Sequence, residues 1–167
     1  MIIVVTIVAL LAAVSMPSFA PSEKYQREAI AQQFADAIRY ARMEAMRTGK
    51  PYGFRYLANE ERIRVFRADE TTNPFTMVFD VYHPIDKQLY DYTLPQEAWT
   101  NSNPVRHVSA YRGTCDTSAT IYFDTNGAPW CNDPNNVLLE NFDLEINIWS
   151  GQVVVRLEGV TGKVNIQ

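Results

Sequence analysis

The sequence has few of the residues and motifs on which enzymes and metalloproteins depend. Histidine occurs only at His83 and His107, and no cysteine or histidine spacing fits a zinc site. The nucleophile motif G-x-S-x-G, a phosphate-binding glycine loop and the zinc motif H-E-x-x-H are all missing. We therefore expect no enzymatic activity, no cofactor and no small-molecule substrate.

Neither sign of charge dominates the chain. The 15 basic and 19 acidic residues give a formal net charge of -4, which offers no reason to expect nucleic acid or anionic lipid as the main partner. Arg62, Arg64 and Arg67 are candidates for a small basic edge, but alternate arginines on a strand are the ordinary solvent-facing side. Nucleic acid is therefore not an expected partner.

The first 22 residues carry no charge at all. A helix with no polar face must be buried in protein or in lipid. Residues 1–16 would form a helix about 24 Å long, which is short for a span of ~20 apolar residues. The run is either a secretory signal cleaved after Ala20 or a retained membrane helix. Retention is favoured because no basic residue precedes the run and a helical pattern resumes soon after it. The residues predicted to form the membrane and assembly helix are Ile2, Ile3, Val4, Val5, Ile7, Val8, Leu10, Leu11, Val14 and Pro17.

Only two cysteines are present, Cys115 and Cys131. The apolar N-terminus indicates export, and a cysteine pair in an exported protein is more often bridged than free. We expect a disulfide that closes a loop of about 15 residues and contributes roughly 3 kcal/mol in the chain-entropy model. Two buried free thiols are the alternative.

Oxygen-bearing side chains crowd two loops near these cysteines. Asp124, Asn126 and Asp133 are candidates for calcium ligands, since calcium prefers oxygen donors. Their spacing does not match a known calcium loop, and turn formation is the ordinary role of Asn and Asp in such loops. We therefore expect turns here and no metal.

Residues 23–48 have the period of an amphipathic helix. One apolar stripe recurs at spacings of three and four: Ile30, Phe34, Ala37, Ala41 and Ala45. Gly49 followed by Pro51 is a helix stop signal.

Beyond Pro51 the period changes from about 3.6 to 2, which indicates strands. Asn126-Gly127 predicts a tight turn. One long helix followed only by strands predicts an α+β fold with an antiparallel sheet. The predicted parts are a membrane helix (1–21), an amphipathic helix (22–50) and a β-rich domain (51–167). The predicted strands are 52–56, 62–65, 75–81, 89–94, 105–111, 120–124, 142–148, 153–157 and 163–167.

This order of elements resembles type IV pilins and the pseudopilins of type II secretion. The run from Met1 to Pro17 is similar to the hydrophobic half of their N-terminal helix. The segment from Arg39 to Pro51 is similar to the helix end of the GspH/FimT family of minor pilins and pseudopilins, and Ile121 to Asp124 followed by Asn126-Gly127 also fits that family. The family signature residues are Arg39, Ala41, Arg42, Glu44, Ala45, Arg47, Gly49 and Pro51.

The resemblance implies a pilin-like fold and a structural or priming subunit of a type IV pilus or a type II secretion pseudopilus. It implies a single-pass protein of the bacterial inner membrane with its C-terminal domain in the periplasm, which later packs against other pilins through its N-terminal helix. The alternative is a secreted, soluble β-rich binding domain that has lost residues 1–20. The family's basic leader, methylated first residue and assembly glutamate would precede Met1, so we expect residues to be missing at the front.

Overall fold

The computed structural model describes residues 23–57, 60–69, 71, 75–94, 108–111, 120–131, 141–148, 151–159 and 161–167. The predicted membrane helix, Cys115, His107 and Asp133 lie outside these residues, and the division of the chain at 21 and 50 stays a prediction. No helix within the described ranges is long and apolar enough to cross a membrane.

Helix α1 spans Glu23–Thr48 and forms where the sequence has its 3.6-residue period. All five residues of the predicted stripe, from Ile30 to Ala45, are buried. Gly49 ends the helix with a positive φ of 64°, and its N–H donates to the carbonyl of Ala45 over 3.0 Å. This is the left-handed ending that glycine favours, because it has no Cβ to clash.

Ten strands follow the helix in the described part of the chain. Their bounds are β1 Tyr52–Leu57, β2 Arg62–Asp69, β3 Thr76–Val78, β4 Asp91–Thr93, β5 Val108–Tyr111, β6 Thr120–Phe123, β7 Pro129–Cys131, β8 Asn141–Ile148, β9 Gly151–Glu158 and β10 Val164–Ile166.

The strands form two antiparallel sheets where the sequence predicted one. The first sheet has the order β3-β2-β1-β6-β7, and β4 also pairs with β2. The second has the order β10-β9-β8-β5. The alternation of apolar and polar residues predicts which segments are extended. It does not predict which segments pair, because pairing joins residues far apart in sequence.

The main core lies between α1 and both sheets. Phe34 of the helix contacts Phe54 and Tyr56 of β1, with ring centroids 5.8 and 5.1 Å apart. The second sheet adds Val155 and Leu157 to the same buried cluster. A helix packed on antiparallel strands confirms the predicted α+β fold.

A smaller aromatic cluster covers the opposite face of the first sheet. It consists of buried Phe66, Ala68 and Tyr122 with partly buried Phe75, Met77, Phe79 and Trp130.

The strand predicted over residues 75–81 is shorter than expected. Strand β3 ends at Val78, and Val81 joins the helix-side core, so it does not share a face with Phe75, Met77 and Phe79. The carbonyl of Val81 instead accepts the N–H of Tyr90 over 2.7 Å. The alternation of side chains therefore stops because the chain leaves the edge of β2.

Strand β7 is absent from the predictions. It has only three residues, Pro129–Cys131, and so short a segment cannot show a period of 2. It pairs with β6, where Ile121 lies opposite Cys131.

Candidate functional site at the end of the helix

The family signature residues lie on the last turns of α1 and just beyond, where the helix meets both sheets. Ala41 and Ala45 are fully buried in the core. Their small side chains let the helix backbone approach the strands closely. Pro51 then directs the chain into β1, and its carbonyl accepts the N–H of Ala68 over 2.9 Å.

Arg42 joins the helix to two turns, one from each sheet. Its Nε donates to the carbonyl of Gly127, over 3.2 Å, in the turn between β6 and β7. Gly162 lies in the turn between β9 and β10, and a Cβ there would be 2.6 Å from Arg42 Nε. Both glycines have positive φ, 78° and 61°. The Arg42 side chain therefore occupies space that these two glycines leave open.

Arg39 makes a second link from the helix to the second sheet. Its Nη2 donates to the carbonyl of Val164 on β10 over 3.1 Å, and its Nη1 contacts Asp36 Oδ1 over 3.1 Å. The two signature arginines thus hold the helix against both sheets through backbone carbonyls.

Glu44 and Arg47 form an ion pair one turn apart on the helix. Arg47 donates from Nε and Nη2 to the two carboxylate oxygens over 3.0 and 2.6 Å. Glu44 is almost buried, whereas Arg47 is exposed. The hydrogen bond to Glu44, followed by the attraction of its charge, raises the pKa of the Arg47 guanidinium. A buried carboxylate needs such a partner, so this pair makes the acidic residue tolerable next to the core.

Asp124, the first calcium candidate, is occupied by hydrogen bonds within its own turn. Its Oδ1 accepts the N–H groups of Asn126 and Ala128, each over 2.9 Å, and its Oδ2 accepts Trp130 Nε1 over 3.3 Å. The described ranges contain no group of three or more His, Cys, Asp or Glu that could hold a metal. Asp124 therefore acts as a turn residue here, and Asp133 lies outside the described residues.

The three arginines considered as a basic edge are paired with carboxylates. Arg62 and Arg64 both donate to Asp91, over 3.0 and 3.1 Å, and Arg67 donates to Asp80 over 2.8 Å. These pairs neutralise the charge that phosphate groups would need.

Cys131 is buried at the end of the first sheet and is disulfide-bonded. Its predicted partner, Cys115, lies outside the described residues. The pairing of these two cysteines stays a prediction.

A cluster of tyrosines joins α1 to β4 and to the segment just before it, and sequence reasoning missed this cluster. Tyr40 stacks on Tyr90 with centroids 5.2 Å apart, and its hydroxyl donates to the carbonyl of Tyr82 over 2.9 Å. Tyr92 donates to the carbonyl of Gln33 over 3.3 Å. Burial raises the pKa of Tyr90 and Tyr92 above the ordinary tyrosine value. The one sequence signal was the alternation of residues 90, 92 and 94, which says nothing about the helix.

Two solved structures share this fold. The minor pseudopilin EpsH from the type 2 secretion system of Vibrio cholerae has 14% sequence identity and a TM-score of 0.55, covering 85% of this chain and 96% of EpsH. The type IV minor pilin FimU of Pseudomonas aeruginosa has 11% identity and a TM-score of 0.51, covering 87% and 91%. No curated protein sequence matches the chain.

The family comparison covers most of the chain. The model of the GspH family, described as type II transport protein GspH, matches residues 31–159. That range includes the signature from Arg39 to Pro51, the turn at Gly127 that holds Arg42, and all strands except β10. The chain therefore belongs to the GspH family, and its role is that of a minor pilin or pseudopilin.

Proposed function

We propose that this chain is a non-enzymatic priming subunit, which helps to start the filament of a type IV pilus or a type II secretion pseudopilus. Family membership over residues 31–159 carries the proposal. Pilins and pseudopilins assemble with other subunits of their kind and are associated with membranes.

The uncharged segment before α1 supplies the anchor in this proposal. It keeps the subunit in the bacterial inner membrane until assembly, because a long apolar helix is unstable in water. During assembly the same segment leaves lipid and packs against the helices of neighbouring subunits, so one apolar environment replaces another. The amphipathic helix α1, Glu23–Thr48, follows that segment in sequence and belongs to the folded domain.

The β-rich domain acts in the periplasm as a surface for other subunits. Its charged signature residues are engaged in structure: Arg39 and Arg42 bind backbone carbonyls, and Glu44 binds Arg47. Such contacts support a rigid domain without catalytic chemistry.

Membrane fractionation of the native protein tests the anchor. We expect recovery in the inner-membrane fraction after a carbonate wash. The variant Leu10→Lys should move protein into the soluble fraction, because a charge at the centre of a membrane helix costs about 3 kcal/mol. Leu10→Ile is the matched control and should stay in the membrane. Recovery of the unaltered protein as a soluble, processed periplasmic species contradicts the proposal.

Deletion of the gene tests the priming role and separates the two machines. Loss of surface pili with secretion intact indicates a pilus, and retention of exported proteins in the periplasm with pili intact indicates a secretion system. Normal numbers of pili together with normal secretion contradict a priming role in either machine.

A further inference from the structure

One arginine shares the far face of the first sheet with the aromatic cluster. Phe54 and Tyr56 of β1 belong to the helix-side core, and successive side chains of a strand point to opposite faces. Arg55, between them, therefore lies on the far face, where its Nη1 is 3.8 Å from Met77 Sδ. We call this surface, the aromatic cluster together with Arg55, the aromatic face.

The aromatic side chains form a row across the strands of the sheet. Gly53 of β1 pairs with Phe66 of β2 on one side and with Tyr122 of β6 on the other. Tyr122 in turn pairs with Trp130 of β7. The ring of Phe75 packs on both buried members of the row, with centroids 6.2 Å from Phe66 and 4.7 Å from Tyr122. The aromatic surface is therefore continuous from β2 to β7.

The Arg55 guanidinium has no oxygen acceptor among the described residues. Its one hydrogen bond goes to Met77 Sδ, and a thioether sulfur is a weak acceptor. Arg55 is half-buried and lies directly opposite Arg64 in the register of β1 and β2. Like charges opposite each other on paired strands are destabilising, and a charge removed from water is costly unless it is paired. An anion that binds Arg55 would reduce both costs.

A single carboxylate suits this face better than a nucleic acid. A guanidinium pairs with a carboxylate through two parallel N–H···O bonds. A phosphate backbone needs several cations, but Arg62 and Arg64 on the neighbouring strand are already paired with Asp91. Within the described part of the aromatic face, Arg55 is the one arginine without a carboxylate partner.

The side chains around Arg55 match a protein partner. Aromatic residues, methionine and arginine are the residue types enriched in the cores of protein interfaces. The cluster members that remain partly exposed are of these types: Phe75, Met77, Phe79 and Trp130. An incoming protein segment covers these side chains and supplies a carboxylate in one place, whereas a free small anion would leave the rings in contact with water.

We propose that the aromatic face binds an aspartate or glutamate side chain of a different subunit of the same filament, while apolar neighbours of that acidic residue pack on Phe75 and Phe79. This docking rests on the proposed filament function. A minor subunit is outnumbered by the other subunits of its filament, so we expect its neighbour to be of another kind. The proposal assigns one contact surface of the domain, on the side of the first sheet opposite α1.

In-cell photo-cross-linking of the full chain tests the docking. Phe75 is replaced by a photoreactive phenylalanine analogue in the producing bacterium, and cross-linked peptides are identified by mass spectrometry. We expect a second pilin-like subunit, attached through a peptide that contains an acidic residue with apolar neighbours.

Charge variants measure whether the guanidinium matters. Arg55→Gln removes the charge, and we expect it to lower the cross-link yield about tenfold, as loss of a charged contact does. Arg55→Lys keeps the charge but not the two parallel bonds, so its yield should be intermediate. Arg67→Gln is the matched control, because Arg67 belongs to the same sheet but pairs with Asp80. Its yield should not change.

Charge reversal identifies the pair of residues directly. Arg55→Glu should abolish the cross-link, and replacing the partner's acidic residue by arginine in the same cell should restore it. A variant that had merely failed to fold would not be rescued by a change in another protein.

Three outcomes overturn the docking while the chain remains in the membrane and filament fractions. These are an unchanged yield in Arg55→Gln, the absence of any cross-link from position 75, and a cross-link to a second copy of this chain, to nucleic acid, to lipid or to a peptide without an acidic residue. Absence of the chain from those fractions instead contradicts the filament function itself, and the docking with it.

Discussion

Gly53 of β1 lies opposite Phe66 of β2, and the ring of Phe66 fills the space above the glycine backbone. A Cβ at position 53 would be 2.2 Å from Phe66 Cζ and 2.6 Å from the backbone oxygen of Ile121. Glycine normally weakens a strand, but close approach of a ring is one reason for its presence. The absence of a Cβ at Gly53 therefore allows the Phe66 ring to pack against the β1 backbone.

Replacing Gly53 with alanine should destabilise the protein by about 2–3 kcal/mol, because neither the buried ring nor the β6 backbone can move away freely. Urea denaturation measures the change in the free energy of unfolding. Gly49→Ala is the matched control: nothing lies within 4 Å of its Cβ, so only the strain of a positive φ remains, at about 1 kcal/mol. Equal losses in both variants would show that crowding by Phe66 is unimportant.

Tyr56 makes stability depend on pH in the alkaline range. Burial, with a further contribution from the charge of Glu61, raises the pKa of its hydroxyl to about 12. An unfolded tyrosine ionises near pH 10, so above that pH the folded state binds more protons than the unfolded state. Stability should therefore fall as pH rises from about 10 to about 12.

Thermal unfolding between pH 8 and pH 12 measures this fall. The variant Tyr56→Phe removes the ionisable group and should show a shallower decline than the unaltered protein. Tyr25→Phe, at an exposed position, serves as the control and should leave the decline unchanged. Parallel curves for the Tyr56 variant and the unaltered protein would exclude this residue as a source of the pH dependence.

The end of α1 is joined to the two sheets by two arginine side chains. Arg39 reaches β10, and Arg42 reaches the turns before β7 and β10. Helix propensity alone does not require arginine at either position. These two side chains add hydrogen bonds to the apolar packing that holds the helix on the two sheets.

Arg42→Met should destabilise the protein by about 2 kcal/mol, since it keeps the length of the side chain but leaves the Gly127 carbonyl without its charged donor. Lys50→Met, at an exposed position just after the helix, is the control and should change stability by less than about 0.5 kcal/mol. Both are measured by urea denaturation. A loss for Arg42→Met no larger than that of the control would mean that the arginine does not hold the turns.

At the scale of the whole molecule, the described residues form a helix with two sheets packed against it, and the two cores are separated by the first sheet. One core unites α1 with both sheets, and the other lies on the far face of the first sheet. Strand β7 ends that sheet with Cys131, which is buried and disulfide-bonded. A disulfide at Cys131 constrains the end of β7, a strand of only three residues with few ladder hydrogen bonds of its own.

Reduction should lower the stability of the whole domain. If Cys115 pairs with Cys131, the closed loop of about 15 residues contributes roughly 3 kcal/mol, mainly by restricting the unfolded chain. We expect a lower urea midpoint in the presence of a reductant for the unaltered protein. The variant Cys115→Ser/Cys131→Ser, which has no thiol to reduce, should show no difference with reductant. Two thiols that alkylate in the unreduced, denatured protein would contradict the bridge.

Local sequence pattern determined the elements of this protein. The stripe from Ile30 to Ala45 and the stop at Gly49 are effects of neighbouring residues, and the structure reproduces them. The same holds for the presence of strands β1, β2, β6, β8 and β9. Membership of the GspH family was also predictable, since the segment from Arg39 to Pro51 is contiguous.

Tertiary structure alone decided the division into two sheets, the link from Arg42 to Gly127 and Gly162, and the cluster of tyrosines around Tyr40. Each depends on residues that are distant in sequence: Arg42 and Gly127 are joined by a hydrogen bond across 85 positions, and Tyr40 and Tyr82 across 42. A periodic pattern records which side of an element is apolar, but not which distant surface will cover it. That choice is made by packing all elements at once, which is why the tyrosine cluster became visible only in the folded molecule.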